Sequence, residues 1–297
     1  MIGQLGLVGC GLIGGSFALA LKRAGAVQRV VGYSATARTR ERARALGVID
    51  AVAESAAQAA QGSDVVLVAV PVAATEATLA AVRDALDAHA LLMDAGSTKG
   101  DVVQAARRAL GTRIAQFVPA HPIAGKETAG VEHAEATLYE QRRCILTPLP
   151  ENASALIDRA QAIWRAVGCR VSSMSAHDHD AAFAAVSHLP HLLAYAYVNG
   201  IASQPQRDAW LALAGPGFRD FSRIAASDPV VWRDILLANR DEMTRQIAAF
   251  RAALQAFEHA LGQGDGAAIQ SLIAQASDVR APWRLGQADA LPPTPED

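Results

Sequence analysis

The sequence predicts an α/β domain built on a parallel sheet, followed by an all-α domain. Three observations carry this. Short apolar runs alternate with longer amphipathic stretches up to about residue 175, a glycine-rich turn directly follows the first run, and after residue 175 only helical patterns remain. In chain order, strands are expected at 4–8, 29–33, 65–70, 91–94, 117–120, 144–147 and 170–174, with helices among others at 12–24, 38–46, 75–88 and 99–110. Ala, Arg, Leu and Glu, all good helix formers, dominate the helical stretches. The run 65–70 is apolar throughout, as a strand covered on both faces must be. From 177 to 285 apolar residues recur at spacings of three and four, as in Ile247, Phe250, Leu254 and Phe257. Gly215-Pro216-Gly217 breaks this half, and Ser227-Asp228-Pro229 reads as a helix start with Pro in its first turn. The expected domains are therefore 1–175 and 176–286, with a proline-rich tail at 287–297 expected to be disordered.

Composition narrows the classes of function. A chain of 297 residues, 51% apolar, buries a sizeable core, and a formal net charge of −2 offers no electrostatic footprint for nucleic acid. Cys10, Cys144 and Cys169 lie far apart and show no paired spacing, which argues against a disulfide framework or zinc site and fits a reducing, cytoplasmic setting. Lys22, Arg29 and Asp64 interrupt the apolar stretches before they reach the roughly 18–20 residues of a membrane span. The first strand pattern begins beside Met1, so no signal peptide is expected.

Gly9-Cys10-Gly11-Leu12-Ile13-Gly14 is a G-x-G-x-x-G turn placed between the first strand and the first helix, the Rossmann-type arrangement for a dinucleotide. Gly9 permits the turn, Gly11 lets backbone approach a pyrophosphate, and Gly14 lets the helix pack closely on the strand. The first helical N–H groups at Leu12 and Ile13 then face the phosphates. Val70 and Pro71, at the end of the strand 65–70, complete the expected cofactor side. NAD-binding turns carry an acid about 20 residues further on, at the end of the second strand. Ser34 stands there instead, followed by Thr36 and Arg38, so hydroxyl and guanidinium groups are offered to a 2′-phosphate and NADP is favoured over NAD. The alternative is that Arg38, Arg40, Arg42 and Arg44 form the solvated face of a helix.

Ligands of open α/β sheets sit beyond the carboxyl ends of strands, and two unusual clusters fall there. Asp94-Ala95-Gly96-Ser97-Thr98-Lys99-Gly100 follows the strand 91–94, and His121-Pro122-Ile123-Ala124-Gly125-Lys126-Glu127 follows 117–120. Ser97 is a candidate functional hydroxyl or an ordinary cap of the helix behind it. His121, in a loop before Pro, suits a catalytic imidazole better than a structural one. The helical half adds Ser187-His188-Leu189-Pro190-His191 and Gly217-Phe218-Arg219-Asp220-Phe221-Ser222-Arg223. No third ligand stands at metal spacing from the two histidines, so no metal is expected. Arg223 is either a ligand-facing cation or the salt-bridge partner of Asp220.

With Ser227-Asp228-Pro229-Val230-Val231-Trp232-Arg233 behind them, these motifs in this order make the chain resemble the prephenate/arogenate dehydrogenases of tyrosine biosynthesis, from residue 1 to about 285. The resemblance implies a homodimer formed through the helical domain and an active site between the domains. It also implies oxidation of a cyclohexadienyl alcohol by hydride transfer to NAD(P) with loss of the ring carboxylate. In that reaction His121 takes the C4 hydroxyl proton, and Ser97 hydrogen-bonds both His121 and the hydroxyl. Arg223 offers its planar fork to a substrate carboxylate, and His188 and Glu127 line the substrate pocket. Lys126 or Arg219 meets the side-chain carboxylate, with pyruvyl and alanyl side chains both open. A β-hydroxyacid dehydrogenase or imine reductase is the rival enzyme, weakened in its lysine-dependent form by the absence of Lys from 177–285. A non-catalytic dinucleotide sensor is the rival from another class.

Overall fold

The computed structural model describes residues 1–126 and 128–284. Glu127 and the tail 287–297 lie outside the described residues. The N-terminal part runs β1 (Ile2–Val8), α1 (Leu12–Arg23), β2 (Val27–Tyr33), α2 (Ala37–Ala45), β3 (Ala51–Val52), α3 (Ala56–Ala60), β4 (Val65–Val68), α4 (Thr75–Val82), β5 (Leu91–Asp94), α5 (Gly100–Leu110) and β6 (Phe117–Val118). These six strands form one parallel sheet in the order β3-β2-β1-β4-β5-β6. The order reverses direction between β1 and β4, the crevice where such sheets bind ligands. Both faces are covered. Phe17 and Leu21 of α1 pack with Leu5 and Leu7 on one face, while Leu79 and Val82 of α4 and Val103 of α5 pack with Val66 and Val68 on the other.

The expected single strand at 117–120 is two short ones, because Pro119 carries no N–H and cannot continue the ladder. After it the chain enters a second, three-stranded sheet of β7 (Ala120–Pro122), β8 (Arg143–Leu146) and β9 (Arg170–Ser173). β7 is antiparallel to β8, and β8 is parallel to β9, so the last strands do not extend the main sheet. The helix α6 (Ser154–Ala166) sits between β8 and β9 in the chain. Its Trp164 packs against Phe17, ring centroids 4.7 Å apart, and edge-on to Tyr139. The Tyr139 hydroxyl donates to the Ile13 carbonyl at 2.6 Å, tying the segment before β8 to the glycine turn.

The remainder is helical: α7 (Ala176–Phe183), a π-turn at Ala184–His188, α8 (Leu189–Ala202), α9 (Arg207–Ala212), α10 (Pro216–Ser222), α11 (Pro229–Ala238), α12 (Arg240–Gln263) and α13 (Gly266–Arg280). The stretch from α7 to α8 is continuous over 27 residues with a mean hydropathy of 1.2 in its most apolar window. Among the described residues this one helix is long and apolar enough to cross a membrane. Its histidines break any unbroken apolar run, while its Ala, Leu, Val and Phe residues still hold the average at 1.2. Only 28% of that window is buried within the chain, and Val186 and Tyr197 are exposed, which leaves apolar surface for a partner.

Candidate active site

A cavity of about 680 Å³ opens at the β1–β4 crevice and runs to the helical half. Its walls come from the turns after β1 (Gly11, Leu12, Ile13), β4 (Val70, Pro71) and β5 (Ser97), from His121 and Lys126, and from Arg223, Trp232 and His191. The structure thus brings Ser97, His121, Lys126 and Arg223 together although they are spread over more than 120 residues. It leaves Arg219 outside: that side chain is exposed and donates to Asp220 at 2.8 Å. The partner of Asp220 is thus Arg219.

The glycine turn has room for a dinucleotide. Gly9 has φ +103°, and a Cβ there would lie 2.2 Å from the Ala69 carbonyl; one at Gly14 would lie 2.1 Å from the Gly9 carbonyl. A Cβ at Gly11 would meet no atom within 4 Å, so what that glycine keeps clear is the space in front of the α1 N-terminus. No side chain caps α1 there. The Ser34 hydroxyl accepts from Cys10 N–H at 2.8 Å and so braces the turn. Thr36 caps α2 by accepting from Thr39 N–H, and Arg38 is exposed on the first turn of that helix. Arg40 is pinned by the Ser34 carbonyl (2.8 Å) and Glu54 (3.1 Å).

His121 is buried and hydrogen-bonded through Nδ1 to Nε2 of His179 at 2.8 Å. His179 in turn places Nδ1 2.8 Å from Asp180 Oδ1. Burial alone would raise the Asp180 carboxyl, but hydrogen bonds from His179 and from the Gly100 and Lys99 amides outweigh it and hold it below its ordinary value. An ionised Asp180 only accepts. His179 Nδ1 must then donate, its Nε2 accepts from His121 Nδ1–H, and the lone pair of His121 is left on Nε2. Burial, then the charges of His179, Lys99 and His188, push His121 well below the usual histidine range, so it is a neutral base at neutral pH. Phe183 stacks on the His179 ring at 4.5 Å and leans on His121 at 4.8 Å, walling the pair from solvent. Sequence reasoning missed His179 and Asp180. The signal was present in His177-Asp178-His179-Asp180, four titratable residues opening the first helix after the last strand.

Two further placements depart from expectation. Ser97 does not cap α5 and makes no hydrogen bond to His121 among the described residues. The α5 N-terminus is instead satisfied by Asp180, which accepts from Lys99 N–H (2.8 Å) and Gly100 N–H (2.7 Å), and Ser97 is left to the cavity. His188 does not reach the cavity: it is buried, 3.2 Å from the Asn239 amide, and burial pushes its imidazole down to about 4. His191 lines the cavity instead, stacked on Trp232 at 3.5 Å with Nδ1 donating to the Ser187 carbonyl at 2.9 Å. A fully buried ion pair lies behind His121. Lys99 Nζ donates to Asp94 Oδ2 (2.5 Å) and to the Ala120 carbonyl (2.7 Å), while Asp94 Oδ1 accepts from Ala120 N–H (3.0 Å). Both polar groups of the residue before His121 are thus clamped. Among the described residues no three His, Cys, Asp or Glu side chains gather as a metal site.

Residues 17–173 match the nucleotide-binding domain of prephenate dehydrogenase, and residues 175–275 match its dimerization domain. The chain belongs to the prephenate dehydrogenase family. It is 34% identical to a cyclohexadienyl dehydrogenase of Zymomonas mobilis over 89% of this chain and 90% of the relative. It is 33% identical to a prephenate dehydrogenase of Bacillus subtilis over 96% and 77%. Its fold superposes with a TM-score of 0.85 on the A. aeolicus prephenate dehydrogenase solved with hydroxyphenyl propionate and NAD+, at 35% identity and covering 95% of this chain and 96% of that one.

Proposed function

We propose that this chain is a tyrosine-biosynthesis dehydrogenase that oxidises the ring alcohol of prephenate or arogenate and releases the ring carboxylate as CO2. The observation that carries the reading is the Asp180–His179–His121 series, which leaves a neutral Nε2 on a cavity shared with the glycine turn and Arg223. The bound nicotinamide supplies the hydride acceptor. His121 Nε2 takes the proton of the C4 hydroxyl, and His179 holds the ring so that Nε2 faces that hydroxyl. Ser97 fixes the hydroxyl from the β5 side. Arg223 presents its fork to a carboxylate of the substrate, and His191, on its Trp232 platform, borders the ring. Aromatisation of the product drives carbon dioxide loss, and no electron sink beyond the ring is required.

The finer reading of the cofactor is NADP in preference to NAD. Its support is the serine at the end of β2, where NAD-binding turns carry an acid, beside the exposed Arg38. The finer reading of assembly is a cytoplasmic homodimer through the helical half. Its support is apolar surface at Val186, Leu213 and Leu261 within the dimerization-domain match. The test of the activity is reduced-nicotinamide formation with prephenate or arogenate and either dinucleotide, for the wild type and His121→Asn. General-base catalysis contributes about 10²–10⁴-fold. The variant is expected to lose at least that, and near-wild-type turnover from a folded variant overturns the assignment.

A further inference from the structure

Of the two cations that the sequence offers for the substrate's side chain, Arg219 lies outside the cavity, and Lys126 belongs to its glycine-turn side. The Lys126 ammonium is ion-paired with Glu135, and Glu135 is seated on the start of α1. Its N–H donates to the Ser16 hydroxyl at 2.9 Å, and a Cβ at Gly15 would lie 3.0 Å from the Ala134 Cβ. Gly15 stands outside the G-x-G-x-x-G pattern, so its missing side chain serves this contact rather than a cofactor. Ser16 is about one helical turn past Leu12, and a turn rises about 5.4 Å. The pair therefore holds the ammonium close to the uncapped N–H groups of the α1 N-terminus, in the cavity that Gly11, Leu12 and Ile13 also line.

That position suits the diphosphate of a dinucleotide. The α1 N-terminus supplies backbone N–H groups and roughly half a positive charge, and neither the glycine turn nor the first turn of α1 carries a Lys or Arg. A dianionic diphosphate is left with charge to neutralise, and the compact ammonium of lysine is a common phosphate partner. The Lys126–Glu135 pair does not stand in the way. Its side chains are 32% and 51% exposed, so water screens the attraction and the pair contributes little. The flexible four-carbon stem lets the ammonium move by about the rise of one helical turn without the backbone following. Building on the dinucleotide site at the glycine turn, we propose that Lys126 is a cofactor-binding residue that exchanges Glu135 for the diphosphate when the dinucleotide enters. Glu135 holds the ammonium beside the turn in the empty site and competes with the ligand for it. The diphosphate is common to NAD and NADP, so Lys126 adds affinity for both and takes no part in choosing between them, in contrast to Ser34 and Arg38.

The test is titration with NADH and with NADPH, followed by nicotinamide fluorescence with no substrate present, in wild type, Lys126→Gln and Glu135→Gln. Both side chains are exposed, and thermal melting checks that the variants fold. Lys126→Gln is expected to weaken both dinucleotides about tenfold, as for one charge-assisted hydrogen bond, and to leave their ratio unchanged. Glu135→Gln is expected to tighten both about two- to fivefold, the range open to a competitor held only by an exposed pair. A pair that merely braces the loop gives the opposite sign, so unchanged or weakened binding in Glu135→Gln overturns the inference. Unchanged dinucleotide affinity in Lys126→Gln does so too, and if KM for prephenate or arogenate rises in that variant instead, Lys126 returns to the substrate's carboxylate. A wild type that binds neither dinucleotide overturns the glycine-turn reading beneath the inference.

Discussion

Lys99→Met is the substitution whose consequences the structure specifies most fully. Lys99 and Asp94 are 0% and 2% exposed, and the ammonium meets the carboxylate at 2.5 Å and the Ala120 carbonyl at 2.7 Å. Removing one partner of a buried pair costs about 3–5 kcal/mol, because the other is left as an uncompensated buried charge. Asp94 keeps the Ala120 and Gly96 amides, at 3.0 and 2.8 Å, which puts the cost at the lower end of that range. The orphaned Ala120 carbonyl adds about 1 kcal/mol or more. The expected total is therefore about 4 kcal/mol in urea unfolding at pH 7.5, a large share of the roughly 5–15 kcal/mol typical of a domain. Asp94→Asn combined with Lys99→Met removes the stranded charge and is expected to recover about 2 kcal/mol of it. The double variant is also expected to be slow, because a shift of about 1 Å in the residue beside His121 costs on the order of 10²-fold. Losing the Lys99 charge also lets the His121 pKa rise, moving the acid limb of kcat/KM to higher pH. A single variant destabilised by less than about 1 kcal/mol, or a double variant whose costs simply add, refutes the reasoning.

Asp180→Asn removes the anion that fixes the tautomer of His179, and with it the proton position on His121; kcat is expected to fall about 10–1,000-fold with little change in dinucleotide affinity, and unchanged kcat would break the link between the pair and the base. Ser34→Asp places a carboxylate where a 2′-phosphate would sit, and the NADP-to-NAD ratio of kcat/KM is expected to drop at least tenfold; a constant ratio contradicts the reading of the β2 end. Burial pushes His188 from 6.5 to about 4, so below pH 6.5 the unfolded chain binds a proton that the native one refuses. Stability present above pH 6.5 is then lost toward pH 4, about 2 kcal/mol of it between pH 8 and pH 5. His188→Gln should flatten the pH dependence of the urea midpoint by that amount, and equal pH dependence in both proteins would exclude His188 as its source.

The glycine turn, the buried strands and the motifs at strand ends were legible because each is written locally: a φ only glycine adopts, an unbroken apolar run, a polar cluster after it. The short β3 and α3 were not, since two residues of strand and five Ala-rich residues of helix carry no period. The second sheet was hidden by one missing N–H, at Pro119. His188 and His191 show how little spacing alone decides. Both belong to one apolar helix three residues apart, and the π-turn at Ala184–His188, which no propensity announces, accompanies an arrangement with one turned to Asn239 and the other to the cavity.

Ser97 and Asp180 carry the same point into function. A serine two residues before the helix 99–110 is the local expectation for its cap, yet a carboxylate 80 residues away caps it. That carboxylate also holds His179 against His121. One group thus seats the first helix of the helical half on the end of α5 and sets the proton position of the base, so the docking of the two halves and the readiness of His121 are a single equilibrium. A change that loosens the junction at Lys99 and Gly100 must also disorder the base, whether or not it touches the cavity.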